Sequence, residues 1–253
     1  MEYLSVSQVQ LFLTCPLKYR FSYVDKLDKP YRASSLAFGT SVHAAIEWYH
    51  RARQTGRSPT TAQVLALFDA DWYAANLGPV AFAAVDSPES LRQKGRALVA
   101  LYVERREGKA ARAVEEPFEI DLVDPATGEC LDVKVRGVLD LVEEDGTVVD
   151  LKTAARAVSI QDLERHLQLS VYALVAFLKT DTIPSLRLDV LLKTKTPRFE
   201  TYPTTRTIQD LSWTAQLLRS VASAIAARTF HPAPSWACGE CEFFAACQAW
   251  RGE

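Results

Sequence analysis

The sequence lacks several features at once, and each absence narrows what the chain can do. It has no long apolar run: the longest, Val171 to Leu178, falls far short of the ~20 residues that a membrane-crossing helix needs. Met1-Glu2-Tyr3-Leu4-Ser5 carries neither a basic region nor an apolar stretch, so the expectation is a cytoplasmic chain without a secretion signal and without membrane contact. An excess of one charge is also missing. The 29 Lys+Arg stand against 31 Asp+Glu, a net charge of −2. That argues against a generally basic nucleic-acid binder but leaves room for a local basic stripe. No internal repeat occurs. No G-x-x-x-x-G-K-[ST] loop occurs either, so any unwinding of a duplex would come from another protein. Cysteine is scarce, at five. Without a secretion signal such thiols point to a reducing compartment, where clustered cysteines more often hold a metal than form disulfides.

What is present is a globular composition. With 48% apolar and 24% charged residues in 253, disorder and low complexity are excluded, and the chain can bury the core of one large domain or two small ones.

The pattern predicts mostly helix up to residue 110: a short helix at 7–14 capped by Ser7, a longer one from Gly39 to Arg53, then 61–75 and 88–107, with Gly78, Pro79 and Pro88 as breakers. Strand-like runs follow at Pro117–Val123, Leu131–Glu143 and Thr147–Lys152, the last two joined by Asp145-Gly146, a hairpin signal. Apolar spacing predicts a helix over Ile160–Leu178, strands over Ser185–Lys193 and Phe199–Pro203, and a helix over 208–228. The core order is thus strand, strand, strand, helix, strand, strand, set between helical arms.

The densest chemistry lies in Gly137-Val138-Leu139-Asp140 and Val148-Val149-Asp150-Leu151-Lys152. If these strands pair through the 144–147 turn, Asp140 and Asp150 meet at the base of the hairpin, and Asp150 and Lys152, two apart, share one strand face. Two carboxylates at a strand edge suit Mg²⁺ or Mn²⁺, and a lysine beside them can orient a water and offset charge on a phosphorane-like transition state. Taken alone, D-x-K is better read as an ordinary surface ion pair, since the pattern is very common. Phe38-Gly39-Thr40-Ser41-Val42-His43 puts His43 on a helix with Glu47 one turn on, and Gln168 and Tyr172 share a helix face. Lys18, Arg20, Lys26, Lys29, Arg32, Lys193, Lys195 and Arg198 are the candidate basic groups. Tyr19, Arg20 and Trp48 are candidates to guide a single strand, although for Trp48 a core position is the better expectation.

Cys238-x2-Cys241-x5-Cys247 closes the sequence, and Cys15 stands near its start. Cys130 reads as an incidental thiol. Four thiolates can hold zinc or an iron–sulfur cluster; one close pair, a third ligand shortly after it and a fourth far upstream favour iron–sulfur over the two close pairs of structural zinc. Either metal would clip the two ends of the chain together.

In this order, the first cysteine, GxxxH, GxxD, DxK, QxxxY and the final cysteine triplet resemble the PD-(D/E)XK nuclease superfamily, in the RecB-like branch that carries an iron–sulfur cluster. The branch includes AddB-type nuclease domains, CRISPR-associated spacer-acquisition nucleases and stand-alone RecB-family exonucleases. The resemblance spans nearly the whole chain. It implies an α/β fold with a restriction-endonuclease-like mixed sheet flanked by helices. The whole of 1–253 would be a single nuclease domain: a helical arm at 1–111, the core at 112–205, and a helix with a cysteine-rich tail at 206–253.

By the same resemblance His43, Asp140, Asp150 and the Leu151 carbonyl would be ligands of Mg²⁺ or Mn²⁺, and Lys152 the catalytic lysine. Gln168 and Tyr172 would position the lysine or the scissile strand, and Glu115 would match a glutamate found before the first core strand. Cys15, Cys238, Cys241 and Cys247 would hold a structural [4Fe–4S] cluster. Val138-Leu139 stands before Asp140 where the superfamily's name has proline, but Gly137 with Asp140 is usual in this branch. The implied activity is DNA exonuclease on single strands or duplex ends, in repair, recombination or phage DNA processing, with DNA as partner and a helicase as an option. The alternatives are a CRISPR adaptation nuclease trimming prespacers beside an integrase, and a non-catalytic nucleic-acid-binding subunit.

Overall fold

Helix starts are set by local chemistry, but tertiary contacts choose among the candidates. In the computed structural model, which describes residues 2–252, helix α1 (Val6–Thr14) is capped by Ser5 rather than Ser7. Ser5 N donates to Gln8 Oε1 (2.7 Å) and Gln8 N to Ser5 Oγ (3.3 Å), a reciprocal capping box. Starting there lets Leu4 exchange backbone hydrogen bonds with Lys134 and Arg136 while Val6, Val9 and Phe12 enter the core. Helix α2 (Pro16–Tyr19) runs into a π-helical turn (Arg20–Val24). The first arm is not purely helical: strands β1 (Arg32–Ala33) and β2 (Val80–Ala81) form a small parallel pair. Helix α3 (Ser34–Gln54) starts five residues before Gly39, and α4 (Thr61–Ala75) and α5 (Pro88–Arg105) pack on it. Both of the latter begin with capping boxes, at Thr60 and Ser87.

The central sheet has five strands in the order β3 (Ala111–Val123), β4 (Cys130–Glu143), β5 (Val148–Ala154), β6 (Leu186–Leu192), β7 (Arg198–Thr204). Only β5 and β6 are parallel, joined through α6 (Ile160–Glu164) and α7 (Leu167–Thr180); the other neighbours are antiparallel. The architecture is therefore α/β with a mixed sheet, in the expected element order. The expected single helix 160–178 is two helices, because Arg165–His166 breaks the run and His166 caps α7.

The sheet is covered on both faces. Leu186, Leu188, Val190 and Leu192 join the layer of α1, α7 and α8 (Ile208–Ala226), whereas Leu151 and Leu191 join α3, α4 and α5. Alternation along β6 makes this inevitable, since successive side chains point to opposite faces. The end of the sheet away from the helix α3 start buries ions: Arg106, 2% exposed, and Arg187 both pair with Glu143, and Arg187 Nε reaches Asp189 Oδ1 at 2.6 Å. His50, also buried, shares a 2.8 Å hydrogen bond with the Tyr102 hydroxyl.

The tail, a 3₁₀ turn (Trp236–Glu240) and α9 (Phe244–Ala249), packs against α2 and the π-helical turn after it through Leu17, Phe21 and Phe243. Lys18 pairs with Glu242 at 2.7 Å, and Leu17 N donates to His231 O at 3.0 Å. Among the described residues no helix is long and apolar enough to cross a membrane.

Candidate functional site

Strands β4 and β5 pair at only two positions, Val142↔Val148 and Leu141↔Val149. The next pair in that register would set Asp140 opposite Asp150, two like charges face to face, which sheets disfavour. The ladder stops there instead. Asp140 Oδ2 accepts from Leu151 N at 3.0 Å, so a carboxylate replaces the missing backbone acceptor. Asp140 and Asp150 thus meet where the hairpin parts.

A chain of hydrogen bonds links the two carboxylates. Lys152 Nζ donates to Asp150 Oδ1 (2.7 Å) and to Gln168 Oε1 (3.0 Å); Gln168 Nε2 donates to the Tyr172 hydroxyl (2.5 Å), which donates to Asp140 Oδ1 (2.9 Å). The spacings in the sequence account for these links: strand alternation puts Asp150 and Lys152 on the α7 side, and one helical turn separates Gln168 from Tyr172. One atom is left out. Asp150 is fully buried, yet among the described residues its Oδ2 has no hydrogen-bond partner, a costly state that calls for an additional ligand. Burial, reinforced by Asp140 although opposed by Lys152, raises the Asp150 carboxyl above the usual carboxylate range. Burial and the two carboxylates push the Tyr172 hydroxyl up, so it stays a donor.

On the other side of Asp140, His43 from α3 lines a cavity of ≈20 Å³ with Glu47, Glu115 and Asp140, space for a single water-sized species. Burial lowers the His43 pKa, against the pull of Asp140, so its imidazole is neutral and fit to ligate. Glu115 sits mid-strand with φ of 47°, a left-handed conformation that a glutamate rarely adopts. Its carboxyl is pushed up to about 7 by burial and then by Asp140 and Glu47. Gly137 is explained by packing: a Cβ there would lie 2.5 Å from Cζ of Phe118, whose ring meets that of Tyr172 edge to face.

The structure therefore brings His43, Glu115, Asp140, Asp150, Leu151, Lys152, Gln168 and Tyr172 into one region. Among the described residues no group of three or more His, Cys, Asp or Glu side chains is arranged, as it stands, to hold a metal ion. The reason is visible at Asp140, which spends both oxygens on Tyr172 and Leu151, and at Asp150, where Lys152 takes one. The orphaned Asp150 Oδ2, the neutral His43 and the carboxylates of Asp140, Glu115 and Glu47 beside it nonetheless make a donor set that fits a hard divalent cation.

Cys15, Cys238, Cys241 and Cys247 line one cavity of ≈360 Å³ with Leu17, Phe21 and Phe243. Burial and the three neighbouring thiols raise the Cys247 thiol. A four-thiol donor set in an apolar cavity fits a thiolate-bound metal or cluster chemically. Cys130, exposed at the start of β4, stands apart.

One expectation fails. Tyr19 is 2% exposed and stacks among Phe12, Tyr23 and Phe230, so it belongs to the core and cannot stack on a nucleic-acid base. Arg20 pairs with Asp25, and Trp48 packs against the α3–α5 core as expected. The sequence reading also missed His166, whose Nε2 lies 3.8 Å from Asp150 Oδ2. Its only sequence signal was its place two residues before Gln168, hidden by the assumption of an unbroken helix.

The family model of the PD-(D/E)XK nuclease superfamily matches residues 3–248. Among solved structures, a provisionally named exonuclease from Eubacterium rectale superposes with a TM-score of 0.60 over 100% of this chain and 89% of that one, at 14% identity, a likeness of fold. A second, SSO0001, reaches a TM-score of only 0.42 at 13% identity, over 96% of this chain and 95% of that one, too low to add to the comparison. No curated protein sequence matches. With nearly its full length covered by the family model, this chain belongs to the PD-(D/E)XK nuclease superfamily.

Proposed function

We propose that this nuclease is a metal-dependent DNA exonuclease of the RecB-like type, acting on single strands or duplex ends. The observation that carries the reading is the hydrogen-bonded path from Asp150 through Lys152, Gln168 and Tyr172 to Asp140, closed by the Leu151 amide. A surface ion pair has no use for such a circuit, whereas hydrolysis of a phosphodiester needs its acidic and basic groups held without freedom.

In this reading His43, Asp140, Asp150 and the Leu151 carbonyl would hold Mg²⁺ or Mn²⁺, which would lower the pKa of the attacking water and offset charge on the scissile phosphate. Lys152 points its amine at the reacting groups and adds a fixed positive charge. Gln168 orients that amine, and Tyr172 orients Asp140. Glu115, whose carboxyl burial and then Asp140 and Glu47 push up to about 7, is suited to exchange a proton with that water. Cys15, Cys238, Cys241 and Cys247 would hold a [4Fe–4S] cluster that ties the two arms together. The setting would be DNA repair, recombination or phage DNA processing, with helicase or integrase activity supplied by another chain.

The test is cleavage of end-labelled single-stranded, linear duplex and closed circular DNA with Mg²⁺, Mn²⁺ or EDTA, for the parent and for Lys152→Ala. The reading expects metal-dependent loss of linear DNA, circles spared, and a rate at least ~10²-fold lower in the variant. Cut circles would make it an endonuclease, and an unchanged rate in Lys152→Ala would remove the proposed site.

A further inference from the structure

We infer that His166 is a positioning residue of the acidic centre, donating from Nε2 to the Asp150 carboxylate oxygen that has no hydrogen-bond partner among the described residues. The inference rests on the reading of Asp150 as a metal ligand.

Three observations support it. First, Asp150 is fully buried and its Oδ2 lacks a hydrogen-bond partner among the described residues, while His166 Nε2 stands 3.8 Å away, just outside hydrogen-bond distance. Contacts of this kind in ligand-free sites are commonly long and tighten when the site is loaded. Second, the other ring nitrogen settles what Nε2 can do. His166 is the N-cap of α7, and its Nδ1 accepts from Leu169 N at 3.4 Å. An accepting Nδ1 carries no proton, so in the neutral ring the proton is on Nε2. Nε2 then has no free lone pair, which makes His166 a donor to Asp150 and not a cation ligand, in contrast to His43.

Third, the corner that carries His166 is braced. The buried Arg206 donates from Nη2 to Leu163 O (3.0 Å) and from Nε to Ser170 Oγ (2.8 Å), and Ser170 Oγ donates to His166 O (3.2 Å). One guanidinium thus fixes the end of α6 and the start of α7, with His166 between them. A carboxylate oxygen has two acceptor sites, so Oδ2 can take this donor and still face a cation. Lys152 on Oδ1 and His166 on Oδ2 would then hold the carboxylate from both sides. Partners that orient a metal-ligating side chain in this way are typically worth 10–100-fold in metal affinity.

Two substitutions separate this role from a purely structural cap. Asn at the position keeps an acceptor for Leu169 N, being a good N-cap residue, but is too short to reach Asp150. Gln places an N–H near the Nε2 position but lacks the cap. His166→Asn should therefore melt like the parent yet bind Mn²⁺ roughly 10-fold or more weakly by calorimetric titration. His166→Gln should melt about 2–4 °C lower while keeping Mn²⁺ affinity within a few-fold of the parent. Cleavage rates at saturating Mn²⁺ should recover in both.

If His166→Asn binds Mn²⁺ as the parent does, His166 is a helix cap alone and the inference is overturned. An Asp150→Ala control shows whether the underlying reading stands: a parent whose Mn²⁺ binding does not depend on Asp150 would overturn the metal site itself, and this role with it.

Discussion

Asp140 Oδ2 lies 3.0 Å from the Leu151 amide and takes its hydrogen at the point where β4 and β5 stop pairing. One side chain therefore does two jobs: it terminates the hairpin ladder and keeps a carboxylate beside Asp150. These jobs separate in variants. Asp140→Asn keeps one acceptor for the Leu151 amide, gives up the one for Tyr172 and relieves repulsion with Asp150, so it should melt above Asp140→Ala. Its cleavage should fall by at least ~10²-fold. Asp140→Ala leaves the amide unpaired and should lose about 1–3 kcal/mol in denaturant unfolding. Equal stabilities for the two would mean that the bond to Leu151 is dispensable.

The glycine of the GxxD motif answers to packing. Gly137→Ala sets a Cβ 2.5 Å from Phe118, whose ring bears on Tyr172, and should cost about 1–3 kcal/mol by overpacking. In a Phe118→Leu background the same change should cost clearly less, because the pair is coupled. A double-mutant cycle that closes additively would refute the close approach as the cause.

Acid stability should depend on His50. Burial, then Arg106 and Arg53, hold this imidazole down to about 3, well below its ordinary 6.5. Between those values the unfolded chain takes up a proton that the folded chain refuses, so stability falls as pH drops from 6.5 towards 3. At pH 5 that one group accounts for about 2 kcal/mol. Burial also lowers His43 and His166, but both are shared by parent and variant and cancel in the comparison. Glu143, brought down to about 2 by Arg187 and Arg106 despite its burial, acts only below its ordinary 4.5. In EDTA, His50→Gln should lose about 2 kcal/mol less than the parent between pH 7 and pH 5 in guanidinium titrations. Parallel losses would contradict a neutral buried His50.

The cysteine cavity gives a prediction about colour and melting. If the cavity holds the proposed cluster, protein prepared without oxygen should be coloured and carry iron in proportion to protein. Replacing Cys15, Cys238, Cys241 and Cys247 by serine should abolish both and lower Tm by several degrees. The Leu17–Phe21–Phe243 cluster and the Lys18–Glu242 pair also hold the tail, so unfolding of the tail should be partial rather than complete. Zinc in place of iron would keep the clip and change its metal; an unchanged Tm would exclude the clip.

The mixed sheet was legible because its signals are short-ranged. Alternating Val, Leu and Ile runs, broken by Asp124-Pro125 and Asp145-Gly146, mark strands wherever the rest of the chain lies. The same locality made half of the site readable: a spacing of two puts Asp150 and Lys152 on one face, and a spacing of four stacks Gln168 under Tyr172.

Tertiary structure alone decided the rest. Helix periodicity continues across Arg165–His166, so only the bond of Arg206 to Leu163 and the capping of Leu169 show that the helix breaks there and turns His166 toward Asp150. The left-handed backbone of Glu115, the parting of β4 from β5 and the burial of Tyr19 beside Phe230 likewise depend on neighbours distant in sequence. Residue types and their spacing determine which groups are available and which face of an element they share. Where two elements stop touching, and what fills the gap, is settled by packing energies summed over the whole core, which no local pattern encodes.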